Sequence, residues 1–268
     1  MFQTPTFSSC KSTVSALRAT PRAAEPTRVA AAFDESARSF SQKIAQTLKL
    51  VSDKVVLQRR VVHAGDRVFQ AGEQFGNLFI VNSGFYKIVT LSPDGREQVV
   101  ALKFRGDWLG MDGMAQGAYS SDAIAMDTGE VWAVRYDALL EASLSHPALL
   151  TALHQAMSRE LARERDSLMS VCTLSGDARV ADFLRSWADS LAKRNLRNDQ
   201  ITLRMTRAEI GNYLGLTLES VSRALSRLAR AKLIVFAGKG RRDVCIPDVS
   251  ALSAFVQATL GPAPVMLQ

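Results

Sequence analysis

Hydrophobic and polar positions along the chain obey three successive patterns. From Val55 to Tyr136, short runs of Val, Ile, Phe and Tyr are punctuated by glycine, and Gly65, Gly76, Gly84, Gly95, Gly106, Gly117 and Gly129 recur every 8 to 12 residues. Turn signals at that interval predict an all-β roll, sandwich or barrel. Leu78 to Val81 and Phe85 to Leu91 read as two strands around Ser83-Gly84. Ser92-Pro93-Asp94-Gly95 supplies the next reversal, with proline pre-setting φ and glycine accepting a positive value.

After Pro147 glycine is absent until Gly176, and the period changes. Leu150, His154, Met157, Leu161, Glu164, Leu168 and Val171 alternate spacings of four and three, the a/d seam of a coiled coil. A helix of about 28 residues would run about 42 Å. Charged flanks (Arg159, Glu160, Arg163, Arg165, Asp166) keep the seam narrow and favour a parallel homodimer. The alternative is an ordinary amphipathic helix lying on the β domain. Glu164 would face its own copy, which makes association marginal and therefore adjustable. Ser175-Gly176-Asp177 ends this helix and opens another, whose Val180, Phe183, Leu184, Trp187 and Leu191 form a core-facing stripe. A hinge and domain boundary are placed here. Residues 1–40 and 261–268 show no comparable pattern and read as tails. The first 32 residues, rich in Ser and Arg with Glu25 as their one acid, also resemble an organellar transit peptide.

The third pattern is the informative one. Thr206 and Glu209 make a capping box, so a helix starts at Arg207, and Gly215 breaks it after about two turns. Thr217 caps a second helix, in which Leu218, Val221, Leu225 and Leu228 are expected to pack inward. This is a helix-turn-helix. Its second helix presents Glu219, Ser220, Ser222, Arg223, Arg227 and Arg230 on or beside the opposite face, a set suited to the major groove. Ile234 to Phe236 and Val244 to Ile246 read as a β-hairpin wing with Lys239, Arg241 and Arg242 at its tip.

Charge sharpens this picture. The 268 residues carry a net +7, and residues 204–242 hold nine basic side chains against Glu209 and Glu219 alone. Such a concentrated patch is the footprint of a polyanion partner, here double-stranded DNA. Arg223 can donate two bonds to guanine, and Glu219 can accept from cytosine; Ser222 can touch a base or a thymine methyl. Arg227, Arg230, Lys232 and the wing cations are assigned to phosphate, with Thr206, Thr217 and Ser220 positioning the helices. For Glu219 the plainer reading is a favourable charge near a helix N-terminus.

Composition removes other classes. With 47% hydrophobic and 22% charged residues the chain is an ordinary globular one. Three cysteines, Cys10, Cys172 and Cys245, with no close pair, give neither a disulfide framework nor a metal motif and suit a reducing, cytoplasmic setting. No apolar run is long enough to span a membrane. His63, His146 and His154 do not supply a two-His-one-carboxylate set in the β segment, and no Walker loop or GxSxG elbow is present. An enzyme is not expected.

Over residues 43–255 the sequence resembles the Crp/Fnr family of transcription regulators. The segment Thr206-Arg207-Ala208-Glu209-Ile210-Gly211-Asn212-Tyr213-Leu214-Gly215-Leu216-Thr217 carries the likeness to its Fnr branch, with Gly106-Asp107-Trp108-Leu109-Gly110-Met111-Asp112 as a second match. The resemblance implies an α+β fold: a cyclic-nucleotide-binding-type β-roll over 41–145, a dimerisation helix over 146–175 and a winged helix-turn-helix domain over 176–260. It also implies a base-reading Glu-x-x-Ser-Arg set at Glu219, Ser222 and Arg223, a palindrome with TTGAT-like half-sites, and RNA polymerase as a partner. The loop Pro93 to Gln98 resembles the polymerase-touching surface, although Arg96 stands where an acid is frequent. Cyclic-AMP-binding relatives carry a Gly-Glu pair and an Arg followed by Ser or Thr; here Met111 takes the Glu position and Ala118-Tyr119-Ser120-Ser121-Asp122 has no arginine. An Fnr iron-sulfur cluster takes four cysteines, whereas this chain offers Cys10 at its start and Trp132 at the internal position. Both departures argue against those effectors, and no cofactor is predicted. Haem through His63 or His154 stays open, as does a regulator gated by another small molecule or gas in the roll; oxidation of Cys172 or Cys245 is a further option beside an inert thiol.

Overall fold

The computed structural model describes residues 28–92, 95–238 and 240–259; the expectations placed on residues 1–27, Pro93, Asp94, Lys239 and 261–268 lie outside them. Helix α1 (Arg28–Lys54) corrects the tail expectation over residues 28–40 alone. No proline follows Pro26 until Pro93, so nothing interrupts helical hydrogen bonding, and Phe40, Ile44, Leu48, Val51 and Val55 recur at helical spacing. Ile44, Leu48, Val51 and Val55 are buried in one cluster with Leu78, Trp108, Leu149 and Leu153.

Strands β1 (Leu57–Val62), β2 (Arg67–Phe69), β3 (Asn77–Ser83), β4 (Tyr86–Leu91), β5 (Glu97–Lys103) and β6 (Trp108–Leu109) precede a short helix α2 (Gly113–Gln116), and β7 (Asp122–Ala125) and β8 (Gly129–Arg135) follow it. They form two antiparallel four-stranded sheets, β1-β8-β3-β6 and β2-β7-β4-β5. β3 and β4 do flank Ser83-Gly84, but the turn carries the chain from one sheet to the other instead of closing a hairpin. That corner lets Phe79 and Val81 of the first sheet meet Tyr86 and Ile88 of the second in one interior cluster. The roll is filled by side chains: Phe69 stacks on Tyr119 with ring centroids 4.1 Å apart, and Tyr119 donates its hydroxyl to the Asn77 carbonyl at 2.8 Å.

Helices α3 (Tyr136–Ser145) and α4 (Pro147–Thr173) follow, the latter opened by proline in its first turn, where the missing N–H costs nothing. Leu149, Ala152, Leu153 and Ala156 bury one face of α4. The seam side is open: Leu161 and Leu168 are 61% and 63% exposed, and His154, Met157, Glu164 and Val171 are also exposed. Leu150 departs from the seam by packing against the core of the same chain.

After the break at Leu174-Ser175 come α5 (Gly176–Ala192), β9 (Gln200–Thr202), α6 (Arg207–Leu214), α7 (Leu218–Arg230), β10 (Val235–Phe236), β11 (Asp243–Cys245) and α8 (Val249–Thr259). The wing strands make a three-stranded sheet, β10-β11-β9. Ser175 caps α5 by accepting from the Ala178 N–H. The core of this C-terminal part is continuous with Val89, Val99 and Phe104 of the roll. Trp187 of α5 reaches Phe85 and Phe104 with ring centroids 5.9 Å and 5.6 Å away.

A buried ionic junction ties the parts together. Asp107, in the turn before β6, accepts from Arg163 of α4 at 2.7 Å, from Arg194 just beyond α5 at 3.1 Å, and from the Phe104 N–H at 2.9 Å. The Arg194 and Asp107 side chains are 3% and 6% exposed. Burial pushes the Asp107 carboxyl up, but the Arg194 and Arg163 charges outweigh it and hold the group below its ordinary range. Lys103 of β5 pairs with Glu160 of α4 at 2.5 Å beside it.

Candidate nucleic-acid interface

The capping box forms as the sequence requires. Thr206 Oγ1 accepts from the Glu209 N–H at 3.1 Å, and Glu209 Oε2 accepts from the Thr206 N–H at 2.7 Å. Gly215 ends α6 in the left-handed region at φ +64°. Gly211 lets α6 meet the following turn, because a Cβ there would lie 2.6 Å from the Leu216 carbonyl oxygen. Thr217 then opens α7 by accepting from the Ser220 N–H at 3.2 Å, and its own hydroxyl donates to Ser220 Oγ at 3.1 Å. A cap of this kind contributes about 1 kcal/mol.

Helix α7 is two-faced. Val221, Ala224, Leu225 and Leu228 are buried. Leu218 is not: it is 47% exposed, which corrects its assignment to the core. It is the first residue of α7, a turn before the helix settles on its neighbours, and Ala224 takes the remaining buried place. On the opposite face Glu219, Arg223 and Arg230 are exposed, as is Lys232 just beyond the helix, while Ser222 is half-buried. Neither Glu219 nor Arg223 has an ion-pair partner among the described residues, so both functional groups are available at a ligand. Arg227 differs. Its guanidinium grips Asp177 at the start of α5 through two bonds of 2.5 Å, fastening α7 to α5.

The sequence reading passed over Arg207. This first residue of α6 donates to the Arg241 carbonyl at 2.6 Å, and the guanidinium carbons of Arg207 and Arg241 lie 5.8 Å and 5.4 Å from the centre of the Phe236 ring. No acid neutralises the pair among the described residues, and Arg207 Nη1 is buried without a partner. Burial and the neighbouring Arg241 charge lower the Arg207 pKa from its ordinary value. Two guanidinia at a helix N-terminus with no neutralising acid among the described residues suit a phosphate. The signal was in the sequence, a basic residue directly after the helix cap and opposite a basic wing. Arg242 is exposed beside them.

The other expected sites are separate from this face. At the segment 118–122, Asp112 Oδ2 accepts from the Ser120 N–H at 3.0 Å, Ser120 Oγ at 2.7 Å and Ser121 Oγ at 2.8 Å, so one carboxylate takes the donors of that loop. Met111 is half-buried against the α1 and α4 core. Trp132 lies inside β8 and donates to Glu130 at 2.5 Å. Cys172 is exposed near the end of α4 and Cys245 is in the wing, on different elements; an iron-sulfur cluster does not fit the cysteines described. His63 is exposed beside Asp66, and His154 is exposed on the open face of α4. No helix among the described residues is long and apolar enough to cross a membrane.

Comparison with known proteins places these features. The Crp-like helix-turn-helix domain family matches residues 178–255, and the cyclic nucleotide-binding domain family matches residues 59–146. Electron transport regulator A of Shewanella oneidensis is 30% identical over 187 residues, 70% of this chain and 75% of that protein. The fumarate and nitrate reduction regulatory protein of Escherichia coli is 29% identical over the same shares of each. Among solved structures, FixK2 from Bradyrhizobium japonicum superposes with a TM-score of 0.65 at 26% identity, covering 75% of this chain and 97% of that one.

Proposed function

Because the chain belongs to the Crp/Fnr family of DNA-binding transcription regulators, with the β-roll and helix-turn-helix domains of that family and regulators rather than enzymes as its relatives, we propose that it acts as a homodimer reading a palindrome with TTGAT-like half-sites. The observation that carries this is α7 itself: one face buried, and Glu219 and Arg223 one turn apart on the other with no ion-pair partner among the described residues. Two such helices, related by a two-fold axis and about one helical turn of DNA apart, enter successive major grooves. Arg223 takes guanine, Glu219 cytosine, and Ser222 an adjoining edge. Arg207, Arg230, Lys232, Arg241 and Arg242 neutralise phosphates, with Thr206, Thr217 and Ser220 holding the helix ends in place.

The open stripe of α4, Met157, Leu161, Leu168 and Val171, joins the two copies. A helix whose apolar residues face water on a second side needs a cover, and a parallel copy supplies one in register. Cyclic AMP in the usual mode is not the effector, since Asp112 already occupies the loop donors with a negative charge. RNA polymerase meets the assembled dimer on DNA. In competition binding, a duplex carrying the palindrome should displace at least tenfold better than its scrambled counterpart, a gap of about 1.4 kcal/mol or more; equal displacement would remove the reading. A gated variant rests on a cleft of about 390 Å³ between β5, α4 and α5, lined by Phe104, Arg163 and Trp187 among others. Tight palindrome binding by purified protein with nothing added would eliminate obligatory gating.

A further inference from the structure

β5 is one of the two edge strands of its sheet, and one side chain of the helix-turn-helix part covers that edge. Asn212, on α6, donates from Nδ2 to the Glu97 carbonyl at 2.6 Å, while its Oδ1 accepts from the Val99 N–H at 2.6 Å. The amide thus takes one C=O and the N–H two residues on, the pair that a residue of an added parallel strand would engage. Gln98 returns the contact, donating to the Asn212 carbonyl at 2.5 Å. Two ion pairs flank it. Lys87 of β4 holds Glu209, the capping-box carboxylate of α6, and Arg204 pairs with Asp127 at 2.8 Å while its guanidinium lies 4.1 Å from the Phe85 ring centre. Burial raises the Glu209 pKa, but Lys87 and the Thr206 bonds outweigh it, so the carboxylate stays charged for the pair.

This docking leaves the reading face untouched: Glu219 and Arg223 are exposed while α6 is fastened to the roll by its other side. From these contacts we propose that Asn212 is a positioning residue, fixing the helix-turn-helix on the β5 edge so that each subunit's roll sets the separation and tilt of the two readers. It makes no base or phosphate contact itself. The inference rests on the palindrome reading above, and a single duplex series separates the two.

Asn212→Ala and, on the roll side, Lys87→Ala are each measured against a full palindrome and against a duplex with one half-site, alongside the unsubstituted protein. A lone half-site needs one reader and no fixed separation. The expected result is a roughly tenfold loss on the palindrome in both variants, from the loss of interdomain polar contacts in each subunit, with half-site affinity unchanged. Lys87→Ala carries the test if Asn212→Ala does not fold, because Lys87 lies in the sensor part. An unchanged or increased palindrome affinity, or an equal loss on both duplexes, would overturn the positioning role. A protein with no preference for the palindrome before substitution would instead overturn the underlying reading, and this inference with it.

Discussion

At the scale of single residues, two arginines of the same domain are expected to behave differently when removed. Arg223 projects from the exposed face of α7, where a bidentate pair with guanine is worth about 1–3 kcal/mol of discrimination. Arg207 sits at the start of α6 against Phe236 and the wing, not on the exposed face of α7, and is proposed as a phosphate contact. Arg223→Ala should therefore flatten the preference for the palindrome over single-base variants while leaving weak, salt-sensitive binding. Arg207→Ala should weaken every duplex alike and lower the slope of log affinity against log salt by about one per subunit. Titrations at several salt concentrations check both, and a uniform loss in Arg223→Ala would remove its role as reader. The exposed position of Arg223 was legible from the sequence, because the helical period set it opposite Val221, Leu225 and Leu228. For Arg207 the sequence offered its place directly after the helix cap but not its contacts with Phe236 and Arg241, some thirty residues away along the chain.

At the scale of elements, what could be read in advance was whatever local chemistry decides. The Thr206 and Thr217 caps, Gly215 and the long period of α4 all fixed helices where expected. Pairing between distant strands was not readable: no local feature of Ser83-Gly84 says whether β3 and β4 share a sheet or turn a corner between two. α1 was missed for a different reason: its apolar stripe was present, but the Ser- and Arg-rich stretch before it, with Pro21 and Pro26, reads as a tail and drew the boundary too far along the chain. The seam of α4 remains the element with an unmet demand. Leu161 sits near its middle and is 61% exposed, so a charged replacement removes little from the subunit's own core. Leu161→Glu should then give folded monomers in sedimentation velocity, with circular dichroism and melting temperature close to those of the unsubstituted protein, and should abolish palindrome binding. A persistent dimer would refute association through this helix.

At the scale of the whole molecule, one buried carboxylate touches all three parts: Asp107, in the turn before β6, accepts from the Phe104 N–H, from Arg163 of α4 and from Arg194 beyond α5. A buried ion pair is a weak argument for net stability, since desolvation offsets much of the attraction, but removing one partner leaves Arg194 buried with uncompensated charge. Asp107→Asn should cost about 3–5 kcal/mol at neutral pH. The pH dependence has a definite sign. The folded-state pKa of Asp107 is held below its ordinary value by Arg194 and Arg163 against the opposing effect of burial. Its contribution is then fully present above the unfolded pKa of about 3.9 and lost as the pH falls through the lower folded value. Urea unfolding at a series of pH values should accordingly show the unsubstituted protein losing stability steeply on the acid side of about pH 4, and Asp107→Asn following a shallower line there. Parallel lines would mean that the junction orders the parts without storing proton-linked stability. Because the same carboxylate joins the roll, α4 and the helix-turn-helix part, the variant should also separate the calorimetric transition into two, an effect that loss of a purely local contact would not produce.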